Sequence, residues 1–221
     1  MADTLFEQVG KARRTLHSIL SYRGYDMSGY RQSLSDAELI KSMDDGSILP
    51  ERIRVVNPNT KEVCYVYFLT KHGRNENSKY ARSLENFLGN VFQHEILDQE
   101  ETTPRHLVTL ICVFMQPIKS SHQAKCDARS AESGVFIQLF TIDDLRFDIM
   151  THELVPKHER LPESFFETIK SQYQIVSKNA LKCIKIQDPV ARYIGLRKGE
   201  ICRITAPSQK TLTTTSYRLC I

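Results

Sequence analysis

The sequence predicts a mixed α/β fold for residues 1–150 and a smaller α+β domain for residues 151–221. In the first part, helical and strand patterns alternate, which is the arrangement of an α/β layer with a mixed sheet. The second part combines short strands with helix caps and glycine turns. A length of 221 residues allows two small domains. An apolar content of 41% is ordinary for a chain that buries a core.

Helices are predicted at three places in the first part. Apolar residues at steps of three and four give the first helix one buried face, and Gly24 would end it. Ser35 and Glu38 have the S-x-x-E spacing of a capping box that begins a second helix, and a third pattern covers residues 78–92. The apolar positions of the first helix are Leu5, Phe6, Val9, Ala12, Leu16, Ile19 and Leu20.

Strand patterns lie between and after these helices. Arg52–Val56 and residues 62–69 flank the turn signal Asn57-Pro58-Asn59, so they are predicted to form a hairpin. Residues 107–115 are a continuous apolar run, which is typical of a strand covered on both faces. The remaining predicted elements are a surface helix at Ser120–Ser133, strands at 135–140 and 147–150, and a helical turn at 142–145.

The C-terminal part is predicted mainly from its caps and turns. Asp188 and Pro189 are typical of an N-cap followed by the first helical residue. Gly195 fits the residue that ends that helix, and Gly199 fits a turn into the next strand. Further predicted elements are a helix that begins near Pro162 and strands at residues 181–186, 200–205 and 215–220.

One segment of the C-terminal part is predicted to be extended. A residue before proline is pushed away from helical geometry, so residues 153–156 should run as an extended rim ahead of Pro156. Leu154 and Val155 would then face opposite sides, because side chains alternate along a strand.

Charge, hydropathy and cysteine content indicate which broad class of protein the chain belongs to. Residues 151–221 carry a net charge of +6 and residues 1–150 a net charge of −2. A mildly basic domain suits nucleic acid or an acidic protein partner, although a free-standing DNA binder is usually more basic. The sequence has neither an apolar run long enough to span a membrane nor a secretory signal in its first twenty residues. Six cysteines without a CxxC motif favour a reducing compartment.

No metal site, cofactor site or catalytic group is predicted. His152 and His158 are six residues apart around a proline, so they cannot share a helix face as paired zinc ligands do. His122 and Cys126 lack two further ligands at a suitable spacing. A metal-dependent nuclease, the enzymatic alternative, needs clustered carboxylates and a lysine around Mg²⁺. The sequence contains no Glu-x-Lys, and the central apolar strand carries no acid. Phosphate-binding glycine motifs are also missing.

Two motifs in the C-terminal part match a known family. Residues 152–158 fit the pattern H-x-L-V-P-x-H, residues 188–199 fit D-P-V-A-R-Y-x-G-L-x-x-G, and residues 217–218 match a terminal Y-R pair. The chain therefore resembles the fifth-largest common subunit of eukaryotic nuclear RNA polymerases, whose C-terminal part corresponds to a small component of the archaeal enzyme. The resemblance implies these docking residues: His152, Leu154, Val155, Pro156, Lys157, His158, Asp188, Pro189, Arg192, Tyr193, Gly195, Gly199, Tyr217 and Arg218.

The resemblance implies a non-catalytic subunit of DNA-directed RNA polymerase in the nucleus. Its C-terminal domain would dock on the largest subunit. Its N-terminal jaw domain, similar in fold to a restriction endonuclease without the catalytic residues, would support downstream duplex DNA. Lys157, Arg192 and Arg218 are candidates either for ion pairs with the partner or for salt bridges within the domain. A free-standing DNA-binding module is the alternative. Candidate phosphate contacts, for which a plain solvated loop is the favoured alternative, are Lys71, His72 and Arg74.

The loop between the last two strands departs from the family pattern. The family has S-E-T-A-G-R-Y, and this chain, aligned on Ser208 and Tyr217, has S-Q-K-T-L-T-T. Leu212 therefore replaces the turn glycine and Thr213 replaces the arginine, which changes the allowed backbone and removes a contact. This divergence suggests a diverged paralogue. The resemblance leaves two possibilities open: a nuclear subunit shared by polymerases I, II and III, or a second copy dedicated to polymerase I and hence to the nucleolus.

Overall fold

The computed structural model describes residues 5–28, 52–69, 103–114, 117–208 and 212–221, together with positions 30, 35, 37, 38, 88 and 92. The chain forms two compact units, Met1–Phe147 (the N-terminal unit) and Asp148–Ile221 (the C-terminal unit). Lys71, His72 and Arg74 lie outside the described residues, as does most of the predicted helix at 78–92. No helix in the described part of the chain is both long and apolar enough to cross a membrane.

The N-terminal unit begins with helix α1, Leu5–Tyr22. Five of the predicted apolar positions, Val9 to Leu20, are at most 1% exposed, which confirms the buried face. Phe6 is 54% exposed, so its predicted place on the buried face is wrong. The helix ends at Gly24, whose φ is +82°. The Tyr25 N–H donates to the Leu20 carbonyl over 3.1 Å, which is the bond that closes a glycine-capped helix end.

The capping box predicted for the second helix is present. The backbone N–H of Ser35 donates to the Glu38 carboxylate over 2.9 Å, and the N–H of Glu38 donates to the Ser35 hydroxyl over 3.3 Å. These two bonds satisfy backbone donors that have no partner within a helix. The Glu38 carboxylate accepts hydrogen bonds from both the backbone N–H and the hydroxyl of Ser35, which hold the pKa of the Glu38 carboxyl below its ordinary value.

Four strands of the N-terminal unit form one mixed sheet in the order β1-β2-β3-β4. β1 and β2 form the predicted antiparallel hairpin, whereas β2–β3 and β3–β4 are parallel pairs. The third strand is the predicted apolar run, and six of its seven residues are buried. The strands are β1 Arg52–Val56, β2 Val63–Leu69, β3 Val108–Phe114 and β4 Phe136–Thr141.

Both faces of this sheet are covered. Tyr65, Leu110 and Ile137 are register partners on one face, where they pack with Phe92 and with Cys126 of helix α2, Ser120–Ser133. The opposite face carries Gln138, whose side chain accepts a 2.8 Å hydrogen bond from Arg23 just beyond α1. The predicted surface helix α2 buries only its Cys126. Continuous burial of β3 follows from this two-sided cover.

The strand predicted at residues 147–150 is wrong. The chain there forms a 3₁₀ turn, Ile149–Thr151, because the Asp148 carboxylate accepts a 3.1 Å hydrogen bond from the backbone N–H of Met150. The helical turn predicted just before it is present at Asp143–Leu145. The hydrogen bond from the Met150 N–H to the Asp148 side chain therefore favours a turn here, although the apolar residues of this segment had suggested a strand.

The C-terminal unit has its own mixed sheet in the order β5-β7-β8-β6. β5–β7 and β7–β8 are antiparallel and β6–β8 is parallel. Helix α3, Phe165–Tyr173, packs through Ile169 against Ile201 and Leu219 on one face. The strands, with the short helix α4, are β5 Lys157–Arg160, β6 Lys182–Ile184, α4 Pro189–Tyr193, β7 Ile201–Ser208 and β8 Leu212–Cys220.

The lengths of two of these strands differ from the sequence prediction. β6 is shorter than residues 181–186, because a 3₁₀ turn at Lys178–Ala180 leads into it and only Lys182–Ile184 pair with β8. β8 is longer than residues 215–220, because it pairs with β7 as far as Leu212 opposite Ser208.

Candidate docking site

The first motif folds as a turn and then a strand. His152 accepts two hydrogen bonds: its carbonyl from the Val155 N–H at 3.0 Å, and its ring Nδ1 from the Leu154 N–H at 3.2 Å. The prediction that residues 153–156 are extended is therefore wrong. The backbone N–H groups of Leu154 and Val155 are hydrogen-bonded within a local turn, and the strand β5 begins only after Pro156. Leu154 is 83% exposed, while Val155 is half-buried.

The second half of the motif is part of the sheet. His158 is 6% exposed, pairs with Ile204 of β7, and has its ring Nδ1 2.7 Å from the Pro156 carbonyl oxygen. Neighbouring Lys157 is exposed, and its Nζ lies 2.8 Å from the Glu159 carboxylate. Of the two roles open to Lys157, the structure contains the salt bridge within the domain.

Glu159 is the centre of a small charge cluster at the β5–β7 edge. It pairs with Lys157 and also with Arg203 of β7, whose Nη2 lies 2.7 Å from the carboxylate. Hydrogen bonds from Lys157 and Arg203 hold the pKa of the Glu159 carboxyl below its ordinary value. Arg160 makes a second cross-strand pair, 2.7 Å from the Glu200 carboxylate.

The second motif builds helix α4 from its two ends. The Asp188 carboxylate accepts hydrogen bonds from the backbone N–H groups of Val190 at 2.9 Å and Ala191 at 3.2 Å, as an N-cap does. At the other end Gly195 has a φ of +68°, and the Leu196 N–H donates to the Ala191 carbonyl over 2.9 Å. Both predicted caps of this helix are present, which explains how five residues hold a helical turn.

Gly199 has a conformational role. Its φ is +86°, and a β-carbon placed there would meet no atom within 4 Å. The Glu200 N–H donates to the Arg197 carbonyl over 3.0 Å, which closes a tight turn into β7. Glycine is therefore required for the left-handed backbone of this turn and not for lack of space.

Two tyrosines of the motifs lie inside the unit. Tyr193 is 4% exposed, and its hydroxyl donates to the Asp148 carboxylate over 3.3 Å. Tyr217 is half-buried among aromatic rings, with ring centroids 6.4 Å from Phe165 and 5.8 Å from Tyr173. These residues of the matched motifs contribute to packing within the unit.

Arg218 and Lys182 form a pair of like charges. They are register partners on the parallel strands β8 and β6, so their side chains leave the same face of the sheet from adjacent positions. In the described part of the chain neither forms an ion pair with a carboxylate. Like charges directly opposite each other are unfavourable. The Arg218 guanidinium donates a hydrogen bond to the Cys183 carbonyl over 3.4 Å.

Lys182 was missed by sequence reasoning. It stands outside the motifs that match the family, and its importance comes from its position beside Arg218. That neighbourhood depends on the parallel pairing of two strands far apart in sequence. No local pattern could have revealed it.

Two thiols lie under the same face as Arg218. Cys202 is the partner of Arg218 across β7–β8, and it and Cys220 are at most 1% exposed. Burial raises the pKa of each thiol to about 11. The carboxylate of Asp188 adds to the rise at Cys202, whereas Arg218 opposes it. Neutral, buried thiols of this kind act as small apolar groups.

The residues of the two matched motifs mainly supply helix caps, turns and packing contacts. Within the ranges that the structure describes, no three or more His, Cys, Asp or Glu side chains are grouped so that they could hold a metal ion. His152 and His158 lie on different parts of the motif, one exposed and one buried. The exposed members of the predicted site are His152, Leu154, Lys157, Pro189 and Gly199.

The C-terminal unit is thus a small α+β module fixed by capped turns, and comparison with known proteins assigns it. The family model for the C-terminal domain of RNA polymerase Rpb5 matches residues 147–220. DNA-directed RNA polymerase subunit Rpo5 of Methanosarcina acetivorans is 41% identical over 76 residues, which cover 34% of this chain and 96% of that protein. The chain belongs to the Rpb5/Rpo5 family of RNA polymerase subunits.

Two further relatives extend the comparison. The subunit rpabc1 of DNA-directed RNA polymerases I, II and III of Dictyostelium discoideum is 34% identical over 92 residues, 42% of this chain and 46% of that protein. Subunit 5B of DNA-directed RNA polymerases IV and V of Arabidopsis thaliana is 25% identical over 212 residues. That alignment covers 94% of this chain and 87% of the relative, so it includes the N-terminal unit.

Proposed function

We propose that this chain is a non-catalytic subunit of a nuclear DNA-directed RNA polymerase and that its C-terminal unit docks on the largest subunit. The observation that carries the proposal is the family match over residues 147–220. The matched motifs supply helix caps, a glycine turn and packing residues, which fix the backbone conformation and so the shape of the surface that would contact a partner. A nuclear location is part of the proposal and is supported by the two eukaryotic relatives.

The charge of the C-terminal unit supports docking on an acidic surface. Lys182 and Arg218 are adjacent cations, and a carboxylate from a partner would relieve their repulsion. An arginine guanidinium can bind a carboxylate through two parallel hydrogen bonds, which gives such a contact direction. The exposed Leu154 adds an apolar position on the other motif.

The docking proposal is tested by charge reversal. The variant Lys182→Glu/Arg218→Glu should lower recovery of the largest polymerase subunit with the tagged chain by at least about tenfold, equivalent to about 1.4 kcal/mol. Lys125→Glu, which reverses an exposed charge on α2 of the N-terminal unit, is the matched control and should leave recovery unchanged. Full recovery with the double variant would place the docking surface elsewhere.

For the N-terminal unit we propose a jaw that supports downstream duplex DNA, with a fold similar to a restriction endonuclease. Its mixed sheet with helices on both faces suits that comparison. The contacts would go mainly to backbone phosphates, with Lys71, His72 and Arg74 as candidates, and would carry no sequence information. Ultraviolet cross-linking from the downstream DNA of a purified elongation complex tests this proposal, and cross-links that consistently miss residues 1–147 would contradict it.

Two alternatives make different predictions for the isolated chain. A free-standing DNA-binding module would bind duplex DNA with an affinity that falls steeply with salt. A metal-dependent nuclease would cleave DNA when Mg²⁺ is added. We expect neither result, and either one would displace the proposed function.

The changed loop before Tyr217 supports a further proposal, that the chain is a paralogue serving polymerase I alone in the nucleolus. Leu212 and Thr213 stand where the family pattern has glycine and arginine. Purification of the tagged chain, followed by identification of the largest subunits recovered with it, tests the proposal. Recovery of one largest subunit is the expected result, and recovery of all three would show a shared subunit.

A further inference from the structure

The first half of strand β8 is exposed on both faces of its sheet. Residues 212–216 are all exposed, although each is paired with a residue of β7. On its other side β8 is paired with β6 only at residues 218–220. Among the described residues, the stretch from Leu212 to Tyr217 therefore has a strand neighbour on one side only.

The hydrogen-bond pattern shows which backbone groups face the open side. The Cys220 N–H donates to Glu200, which leads into β7, and the Ile221 N–H donates to Ile184 of β6. Successive residues of a strand point their backbone groups in opposite directions. Even-numbered residues of β8 therefore face β7, and the N–H groups of Thr215 and Tyr217 face the open edge.

Along residues 212–216, this edge carries neither the charges nor the prolines that often protect a sheet edge. Natural sheet edges carry lysine, proline, a bulge or a covering segment, because an exposed row of N–H and C=O groups pairs readily with another strand. Residues 212–216 read L-T-T-T-S, with no charge and no proline. Threonine, the commonest residue in this stretch, favours extended backbone.

Leu212 at the start of the strand is a second unusual feature. Its side chain is 87% exposed, and its φ is +63°, a left-handed conformation that L residues adopt at a cost. An exposed leucine held in this conformation offers an apolar anchor next to the open edge. Retained strain of this kind is often associated with a functional contact.

We propose that the open edge of β8, centred on Thr215 and Tyr217, accepts an extended segment of a neighbouring polymerase subunit as an added strand. The inference rests on the proposed function, since it names the type of contact that docking uses. The row of main-chain groups suits an extended peptide, because an added strand can pair with successive groups along the edge. Lys182 and Arg218 at the end of the edge favour an acidic residue in that segment, and Leu212 favours an apolar one.

Amide hydrogen exchange with residue resolution tests the inference on the intact chain and on purified polymerase that contains it. The Thr215 and Tyr217 amides should exchange at least about tenfold more slowly in the polymerase than in the free chain. The amides of Thr214 and Ser216 face β7 and serve as internal controls, with protection in both samples.

Each outcome of the exchange experiment decides a different statement. Equal exchange of the Thr215 amide in the two samples overturns the added strand and leaves the proposed function intact. Absence of the chain from the polymerase overturns the proposed function as well. Protection in the free chain that increases with its concentration assigns the edge to a second copy of this chain, which also overturns the inference.

A pair of substitutions tests the same edge by affinity. Thr215→Pro removes an N–H that faces outward and leaves the β7 ladder complete, since proline is tolerated at a sheet edge. Thr215→Val keeps that N–H and is the matched control. Affinity for the reconstituted polymerase core should fall about tenfold with Thr215→Pro and stay unchanged with Thr215→Val. Equal affinities for the two folded variants, checked by circular dichroism, would overturn the inference.

Discussion

The hydroxyl of Tyr193 donates a hydrogen bond to the carboxylate of Asp148 over 3.3 Å, between residues 45 positions apart in sequence. Asp148 also caps the turn Ile149–Thr151. One carboxylate therefore joins α4 to the first turn of the C-terminal unit. The bond is partly buried, so its loss should be measurable as a change in stability.

Tyr193→Phe removes this bond and keeps the ring in the core. The free energy of unfolding should fall by about 1 kcal/mol, the usual net value of such a hydrogen bond. Urea denaturation followed by circular dichroism measures the change. Tyr173→Phe is the control, because Tyr173 is 47% exposed and should tolerate the change. An unchanged Tyr193→Phe protein would mean that water replaces the hydroxyl without loss.

The N-cap of α4 gives a second prediction. Asp188→Ala leaves the N–H groups of Val190 and Ala191 without their acceptor and should lower the free energy of unfolding by about 1 kcal/mol. Asp188→Asn keeps a capping oxygen and should retain most of the stability. Denaturation of the three proteins side by side tests the cap, and equal losses for alanine and asparagine would point to the charge of Asp188 instead.

Leu212 provides a prediction of gained stability. Glycine adopts a φ of +63° without the steric cost that a β-carbon brings. Leu212→Gly should therefore raise the free energy of unfolding by about 0.5–1 kcal/mol. Leu212→Ala keeps the β-carbon and should bring no such gain. A less stable glycine variant would show that the exposed leucine side chain contributes packing that outweighs its backbone strain.

The buried thiols predict a loss of stability in alkali. The pKa of Cys202 and of Cys220 is raised to about 11 in the fold, so the unfolded chain ionises these thiols first. Between their ordinary range and pH 11 the native state binds more protons, and the free energy of unfolding falls as pH rises. Below the ordinary thiol pKa this stabilising contribution is complete.

Urea denaturation between pH 7.5 and 10.5 tests the thiol prediction. In Cys202→Ala, the free energy of unfolding should fall less between pH 7.5 and 10.5 than it does in the unmodified protein. Cys183→Ser is the control, since Cys183 is the exposed cysteine of the six. An unchanged slope in Cys202→Ala would show that other groups cause the alkaline loss.

Sequence reasoning succeeded where structure is determined locally. The capping box at Ser35, the glycine end of α1 and both caps of α4 are short-range hydrogen-bond patterns, and each is present. The apolar run at β3 was also predicted correctly, because burial on both faces leaves a continuous signal.

The failures have physical reasons. Residues 147–150 and 153–156 were predicted to be extended, but Asp148 and His152 each accept backbone hydrogen bonds that close a turn. Burial of Arg13, which is 1% exposed in α1, was missed because a charged residue usually marks the solvent face. The neighbours Lys182 and Arg218 depend on strand order, which composition and periodicity do not encode.

In the part of the chain that the structure describes, the two units share no strand, since β1–β4 form one sheet and β5–β8 another. Each sheet packs against an apolar cluster made of residues from its own unit. A gene that encodes such a chain can therefore lengthen, shorten or exchange one half while the other half keeps its fold.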